Sequence, residues 1–247
     1  MSATTAVFKR EFRGYFGTPL AYVFLVAFLS TAAFLPFSQA FFEIRDASLR
    51  LFFANLPSLF AFFAPAVAMR TWAEERRTGT IELLLTLPVT IKQAVLGKFL
   101  AGWAFFGIAL LLTGSMVVTV SYLGEPDLGP IFTGYLGAFL LAGAYLAIGS
   151  FFSALTKNQV IAFVLGAAAC ALFVWVGSPA VTKFVEGSDS GAFARFVSNF
   201  LSSMSFLTHY DPMQQGMLAL GHVVAVLGTT VGFLAGTIVL LTETKSR

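Results

Sequence analysis

Between Arg70 and Lys98 runs Arg-Thr-Trp-Ala-Glu-Glu-Arg-Arg-Thr-Gly-Thr-Ile-Glu-Leu-Leu-Leu-Thr-Leu-Pro-Val-Thr-Ile-Lys-Gln-Ala-Val-Leu-Gly-Lys, the one long charged, helix-prone stretch between two apolar runs. Its residue types suit recognition rather than covalent chemistry: acids and bases set the register of a docked partner, and apolar side chains give a contact that survives motion. A phosphate-binding loop is absent from it. Gly97-Lys98 is followed by Phe99 instead of Ser or Thr, and Lys92 stands where the upstream glycine belongs. His209 lies beside Tyr210 and Asp211, with His222 further on, but two histidines without a paired cysteine make a weak metal motif. We expect no metal site and no cofactor in the chain. Cys170, alone in an apolar run, permits neither a disulfide framework nor a thiolate metal site and reads as a small buried hydrophobe.

The composition names the solvent that must position these residues. The chain is 57% hydrophobic and 11% charged with a mean hydropathy of +0.84, against about a quarter charged in ordinary globular domains. Nearly all of its 247 residues are needed for membrane spans of about 20 residues each, so a single membrane domain over 1–247 with no soluble lobe is expected. Apolar runs fall at about Leu20–Phe42, Phe52–Met69, Ala94–Leu123, Ile131–Leu155, Val160–Val176 and Val223–Leu241. That predicts an all-α polytopic membrane protein with six transmembrane helices, the fifth the shortest. The basic residues sit beside apolar runs, so the net charge of +3 marks topology and not nucleic-acid binding. Lys9, Arg10, Arg13, Arg70, Arg76, Arg77, Lys92, Lys98, Lys157, Lys245 and Arg247 collect on one side, against Arg45, Arg50, Lys183 and Arg195 on the other. The positive-inside rule then places both termini in the cytoplasm of a multi-pass inner-membrane protein.

At the front, Lys9, Arg10 and Arg13 interleave with large apolar residues and no small-residue cleavage site follows, so the segment reads as an anchor and not as a cleavable signal. Phe8, Phe12, Tyr15 and Phe16 share one helical arc, which predicts an interfacial helix on the cytoplasmic leaflet in contact with membrane lipids. In the loop, Trp72 to Arg77 extends the second span and Gly79 interrupts it. Ile81 to Thr86 forms a short amphipathic piece closed by Pro88, and Thr90 with Gln93 makes a capping box for the third span. On spacing alone this crosswise piece is either a lever that takes force from a partner or an ordinary interfacial turn.

The spans themselves lack an Asp, Glu or His at mid-depth, which disfavours coupling to protons or sodium. The driving force must come from elsewhere. Ala73-Glu-Glu-Arg-Arg-Thr-Gly-Thr-Ile-Glu-Leu-Leu-Leu-Thr-Leu-Pro-Val89 followed by Gly97-Lys98 resembles the first cytoplasmic loop of ABC type-2 transporter permeases, specifically the gliding-motility-associated permease subunits and their nitrous-oxide-reductase maturation relatives. Lys9 to Tyr22, Tyr135 to Gly149, Leu155 to Gln159, and His209-Tyr210 with Gly216 extend the likeness over most of the chain. The resemblance implies an elbow helix at about Thr4–Gly17 and a coupling helix over Glu74–Thr86 between spans two and three. It also implies a separate ABC ATP-binding subunit, which carries the ATP and Mg, and a second permease subunit in a homo- or heterodimer. Carried onto this chain, Glu74, Glu75, Arg76, Thr80 and Glu82 face the ATPase, Gly79 sets the bend, and Leu83, Leu84 and Leu85 pack into its cleft or the neighbouring loop. Met217 to His222 departs from the charged cluster that related sequences carry there, so partner contacts on the outer face do not transfer.

The segment Ser178 to His222 is long for a turn. Phe193, Phe196, Val197, Phe200, Leu201 and Met204 recur at helical spacing, and Asp211 with Pro212 and Gln214 reads as the start of a second extracytoplasmic helix between spans five and six. Phe196, Phe200, Met204, His209 and Tyr210 are the candidates there for a gate or for docking an extracytoplasmic auxiliary subunit; a lid that only shields the span ends is the other reading. Small residues Gly143, Ala147, Ser150, Gly228, Gly232 and Gly236 mark close helix packing, with the last three also suited to a subunit pair. Two function classes compete with the ATP-driven exporter. One is a membrane anchor or scaffold of a motility or maturation complex, and the other is an ion-coupled carrier.

Overall fold

A computed structural model describes residues 2–39, 48–80, 89–176, 181 and 202–245, and every regular element among them is α-helical. Helix α1 (Ala3–Phe16) begins where the Ser2 hydroxyl accepts the Thr5 amide, and Pro19 opens α2 (Pro19–Ser38) at the position where its missing N–H costs nothing. Helix α3 (Arg50–Thr78) runs unbroken for 29 residues, so the charged Trp72–Arg77 stretch is a continuation of the span as the sequence implies. Gly79 ends it at φ 72, a left-handed cap that favours glycine. Thr90 and Gln93 form the expected capping box, with reciprocal bonds of 3.3 and 3.0 Å, and start α4 (Ile91–Leu112).

The predicted third span, Ala94–Leu123, is two helices. After α4, Thr113 interrupts the spiral before α5 (Gly114–Leu123): its hydroxyl turns back 2.6 Å to the Leu110 carbonyl, and the Tyr135 hydroxyl donates to the Thr113 carbonyl at 3.1 Å. A back-bonding Thr followed by Gly competes with the regular ladder, a local signal that hydropathy averages away. Then come α6 (Leu128–Leu155), α7 (Gln159–Trp175), α8 (Phe206–Gln214) and α9 (Leu220–Lys245). Among the described residues five segments are long and apolar enough to cross a membrane: α2, α3, α4 with α5, α6 and α9. The expected fifth span corresponds to α7, whose 17 apolar residues fall short of that length.

Helix α6 is the hub. It packs along α3, α9 and α7, with α8 across one end. Its most apolar stretch is 78% buried, whereas α2 and α9 bury 28% and 22% of theirs and turn Val23, Val26, Phe34, Val231 and Val239 outward. Outward apolar faces of this extent belong in lipid or against another chain. Small residues let the core close: a β-carbon at Gly149 would lie 2.7 Å from Ala68 Cβ and 3.1 Å from Pro65 Cα, so α3 and α6 touch almost backbone to backbone. Gly143 lies under the Trp103 indole, which stacks on Phe139 at 4.4 Å and donates to its carbonyl at 2.7 Å. Gly236 packs on Phe151, while Gly228 and Gly232 face open space.

Candidate functional site: a charged knot at one end of the bundle

Four helices converge where α3 leaves the apolar core, and they are tied by charge. Lys98, in the second turn of α4, has a side chain only 4% exposed and places Nζ 2.8 Å from Glu75 Oε1 on α3, 3.5 Å from Glu11 Oε1 on α1, and 3.0 Å from the Thr71 carbonyl. Its ammonium also lies 5.0 Å from the centre of the Trp72 ring. Arg10 donates to the same Glu11 oxygen at 2.7 Å and comes within 4.0 Å of Glu75. One lysine thus joins α1, α3 and α4. A cation so enclosed is retained by several acceptors at once, since removing one member of a buried ion pair costs about 3–5 kcal/mol. Glu75 uses one oxygen for this; Oε2 is buried and finds no hydrogen-bond partner among the described residues.

A second clamp ties α3 to α6. The Ser153 hydroxyl donates to the Met69 carbonyl at 2.9 Å and lies 3.1 Å from the Trp72 and Ala73 amides, while Trp72 Nε1 donates to Ser150 at 3.0 Å. The Arg76 guanidinium donates to the Ala154 carbonyl at the end of α6. Helix α1 docks on α4 by Val7, its buried residue, which fills the surface that Gly97 leaves bare. The aromatic arc expected on α1 is half-buried: Phe8 stacks on Phe12, Phe12 meets Phe16 edge to face, and Tyr15 and Phe16 meet Phe105 of α4 at 5.2 and 5.8 Å. Burial of the Tyr15 phenol, reinforced by the nearby Glu11 carboxylate, pushes its pKa well above the usual tyrosine value, so it stays a neutral donor. Beside the knot, a cleft of about 530 Å³ opens between α1, α2 and α3, with apolar walls from Phe24, Phe63 and Val67 and a polar end at Arg10 and Arg70.

The charged residues chosen from the sequence therefore divide. Glu75 and Arg76 turn inward, to Lys98 and to α6, and Glu74 pairs along its own helix with Arg70 at 3.0 Å. The exposed tip is Arg77, Thr78, Gly79 and Thr80, where the Thr78 and Thr80 hydroxyls bond at 2.9 Å. Glu82, Leu83, Leu84 and Leu85 lie outside the described residues. Sequence reasoning took Lys98 as a topology marker and left Glu11 without a role. A signal existed for Lys98, which stands among apolar residues of its helix, where an unpaired charge would be costly.

At the opposite end, helix α8 departs from expectation. It begins at Phe206 and not after Asp211, because Phe206, Tyr210 and Met213 form one buried stripe. Asp211 is inside the helix and accepts from Gln214 Nε2 at 2.8 Å; Pro212 lies in the last turn, where it donates no backbone hydrogen bond. Tyr210 is 1% exposed and rests with Met213 on Gly137, its hydroxyl 3.5 Å from the Gly134 carbonyl. Met204 is 43% exposed and His209 half-buried. Phe196 and Phe200 lie outside the described residues.

The described residues form a helical bundle with long apolar spans and a charged, helix-terminated tip. The family model described as ABC-2 family transporter protein matches residues 24–245. The chain belongs to that family. It is accordingly a multi-pass membrane permease component of an ABC transporter, a family that generally works with an ABC ATP-binding subunit in which the ATPase activity resides. Comparison with curated proteins finds no match. For an ABC-2 permease the charged knot acquires a setting, since work must enter from a partner outside the bundle.

Proposed function

We propose that the chain is the permease subunit of an ABC exporter of the gliding-motility-associated kind, paired with a second permease subunit in the inner membrane, with both termini cytoplasmic. In this reading α7 also crosses the membrane, as the fifth of six spans, and α1 is the elbow helix. The Glu74–Thr86 element docks on the ATP-binding subunit, with ATP and Mg held entirely by that partner. Nucleotide binding closes the ATPase pair and displaces the element. Motion enters α3 at its exposed tip, passes through Lys98 into α1 and α4, and reaches α6 through Ser153 and Arg76. The apolar spans re-pack in response and move a substrate, or exert force on an extracytoplasmic partner.

The observation that carries this reading is the three-helix contact of Lys98 with Glu75 and Glu11 directly behind the tip. A charge held by partners on separate helices passes displacement along fixed directions, whereas apolar contacts can slide. The test is reconstitution with the ATP-binding subunit. Glu82→Ala and Leu84→Ala are expected to leave helix content and membrane insertion unchanged while hydrolysis no longer drives transport. Undiminished coupling in both variants would count against the Glu74–Thr86 element as the handle.

A further inference from the structure

The turn between α8 and α9 brings together two residues with no part in the coupling path. Gly216 reverses the chain at φ 92, with Met217 N–H donating to the Pro212 carbonyl at 3.0 Å and Gly216 N–H to that of Met213 at 3.3 Å, a Schellman closure of α8. Helix α9 then begins at Leu220 and carries His222 back to His209. The two Nδ1 atoms stand 3.1 Å apart, ring planes inclined at 54°. His209 Nε2 lies 2.8 Å from the Ser203 carbonyl. A carbonyl only accepts, so Nε2 bears the hydrogen; the tautomer we assign from this network leaves Nδ1 of His209 as the acceptor facing His222.

We propose that His209 and His222 are a chelating pair for a divalent transition-metal ion of the zinc, nickel or copper(II) class. Zinc bonds imidazole nitrogen at about 2.0–2.1 Å, so two tetrahedral ligand atoms stand about 3.3 Å apart. The two nitrogens need separate by only a few tenths of an ångström, while the rings turn so that both lone pairs converge on the ion and His222 carries its hydrogen on Nε2. The bond from His209 to the Ser203 carbonyl is the orienting contact that metal-ligating histidines make through their other nitrogen. Among the described residues no third His, Cys, Asp or Glu completes a cluster. The described residues therefore supply two ligands, and the half-buried rings leave the remaining positions open to further donors. Bound there, the ion staples α8 to the first turn of α9 across the Gly216 turn.

The test uses tag-free, chelator-stripped permease in detergent, titrated with Cu²⁺ and with Zn²⁺. The expected result is saturable binding of one ion per chain, a Cu²⁺ resonance spectrum showing two nitrogen ligands, and a Zn²⁺-dependent rise in melting temperature. His209→Gln and His222→Gln each weaken binding at least about tenfold, reduce the spectrum to one nitrogen, and abolish the Zn²⁺ effect on melting. If His209→Gln fails to fold, His222→Gln decides alone. No saturable binding, an oxygen-only spectrum, or variants that bind like the wild type would each overturn the proposal.

Discussion

The two ends of the bundle are held by different forces. Where α3 leaves the core, Lys98, Glu75, Glu11, Ser153 and Arg76 make directional polar contacts between helices far apart in sequence. At the other end α3, α6 and α8 meet through rings laid on glycines: Phe53 on Gly134, and Met213 with Tyr210 on Gly137. Ring-on-glycine contacts fix distance and little else. The charged end ties four helices by directional bonds, and we propose that the ring-lined end is where they shift against one another. In the proposed mechanism this is the asymmetry an ATP-driven permease needs, rigid where force enters and compliant where the pathway opens.

Substitutions at each end test that contrast. The largest effect is expected for Lys98→Met, which strands Glu75, leaves Glu11 to Arg10 alone and should cost about 3–5 kcal/mol. Thermal unfolding in detergent would show it, and an unchanged melting temperature would dissolve the distinction between the ends. Gly134→Ala at the ring-lined end places a methyl 2.8 Å from the Phe53 ring. It should cost about 1–3 kcal/mol by overpacking, with near-additive behaviour when combined with Lys98→Met, since the sites share no partners. Ser153→Ala removes the Ser153 bonds from the clamp of α3 on α6, leaving those of Ser150 and Arg76, and should cost about 1 kcal/mol. Smallest is Gln39→Ala, which breaks the amide pair with Asn55 at 3.0 and 3.2 Å. That pair is exposed, and about 0.5 kcal/mol is expected from the same denaturation measurement.

Much of the frame was legible because a membrane imposes one rule, that backbone groups bond within their own segment. Apolar runs gave the helices to within a few residues, and Gly79, Thr90 and Gln93 behave as their side-chain chemistry requires. What stayed hidden depends on neighbours. Helices α2 and α6 have hydropathies of 2.1 and 1.9, yet one faces outward and the other is the hub. Gly143, Gly149, Ser150 and Ser153 distinguish them by allowing close approach. The Thr113 break escaped a window average, and Asp211 looked like a cap until the Phe206, Tyr210 and Met213 stripe claimed the preceding turn. The knot was unreadable for a similar reason: Glu11, Glu75 and Lys98 are far apart in the chain, and only the docking of α1 on α4 through Val7 and Gly97 unites them. The His209 and His222 pair needed the Gly216 turn in the same way.

The central claim is that motion at the tip of α3 reaches α1 and α4 through the buried charges. Spin labels on Gly14→Cys in α1 and Gly228→Cys in α9, both facing open space, report the distance between those helices by pulsed resonance in the complex with its ATP-binding subunit. The distance distribution is predicted to shift on nucleotide binding in the otherwise unaltered protein. In a Glu75→Leu, Lys98→Met background, which removes the charges while keeping the volume filled, the shift should vanish although the complex still assembles. An identical shift in both backgrounds, or none in either, would contradict it.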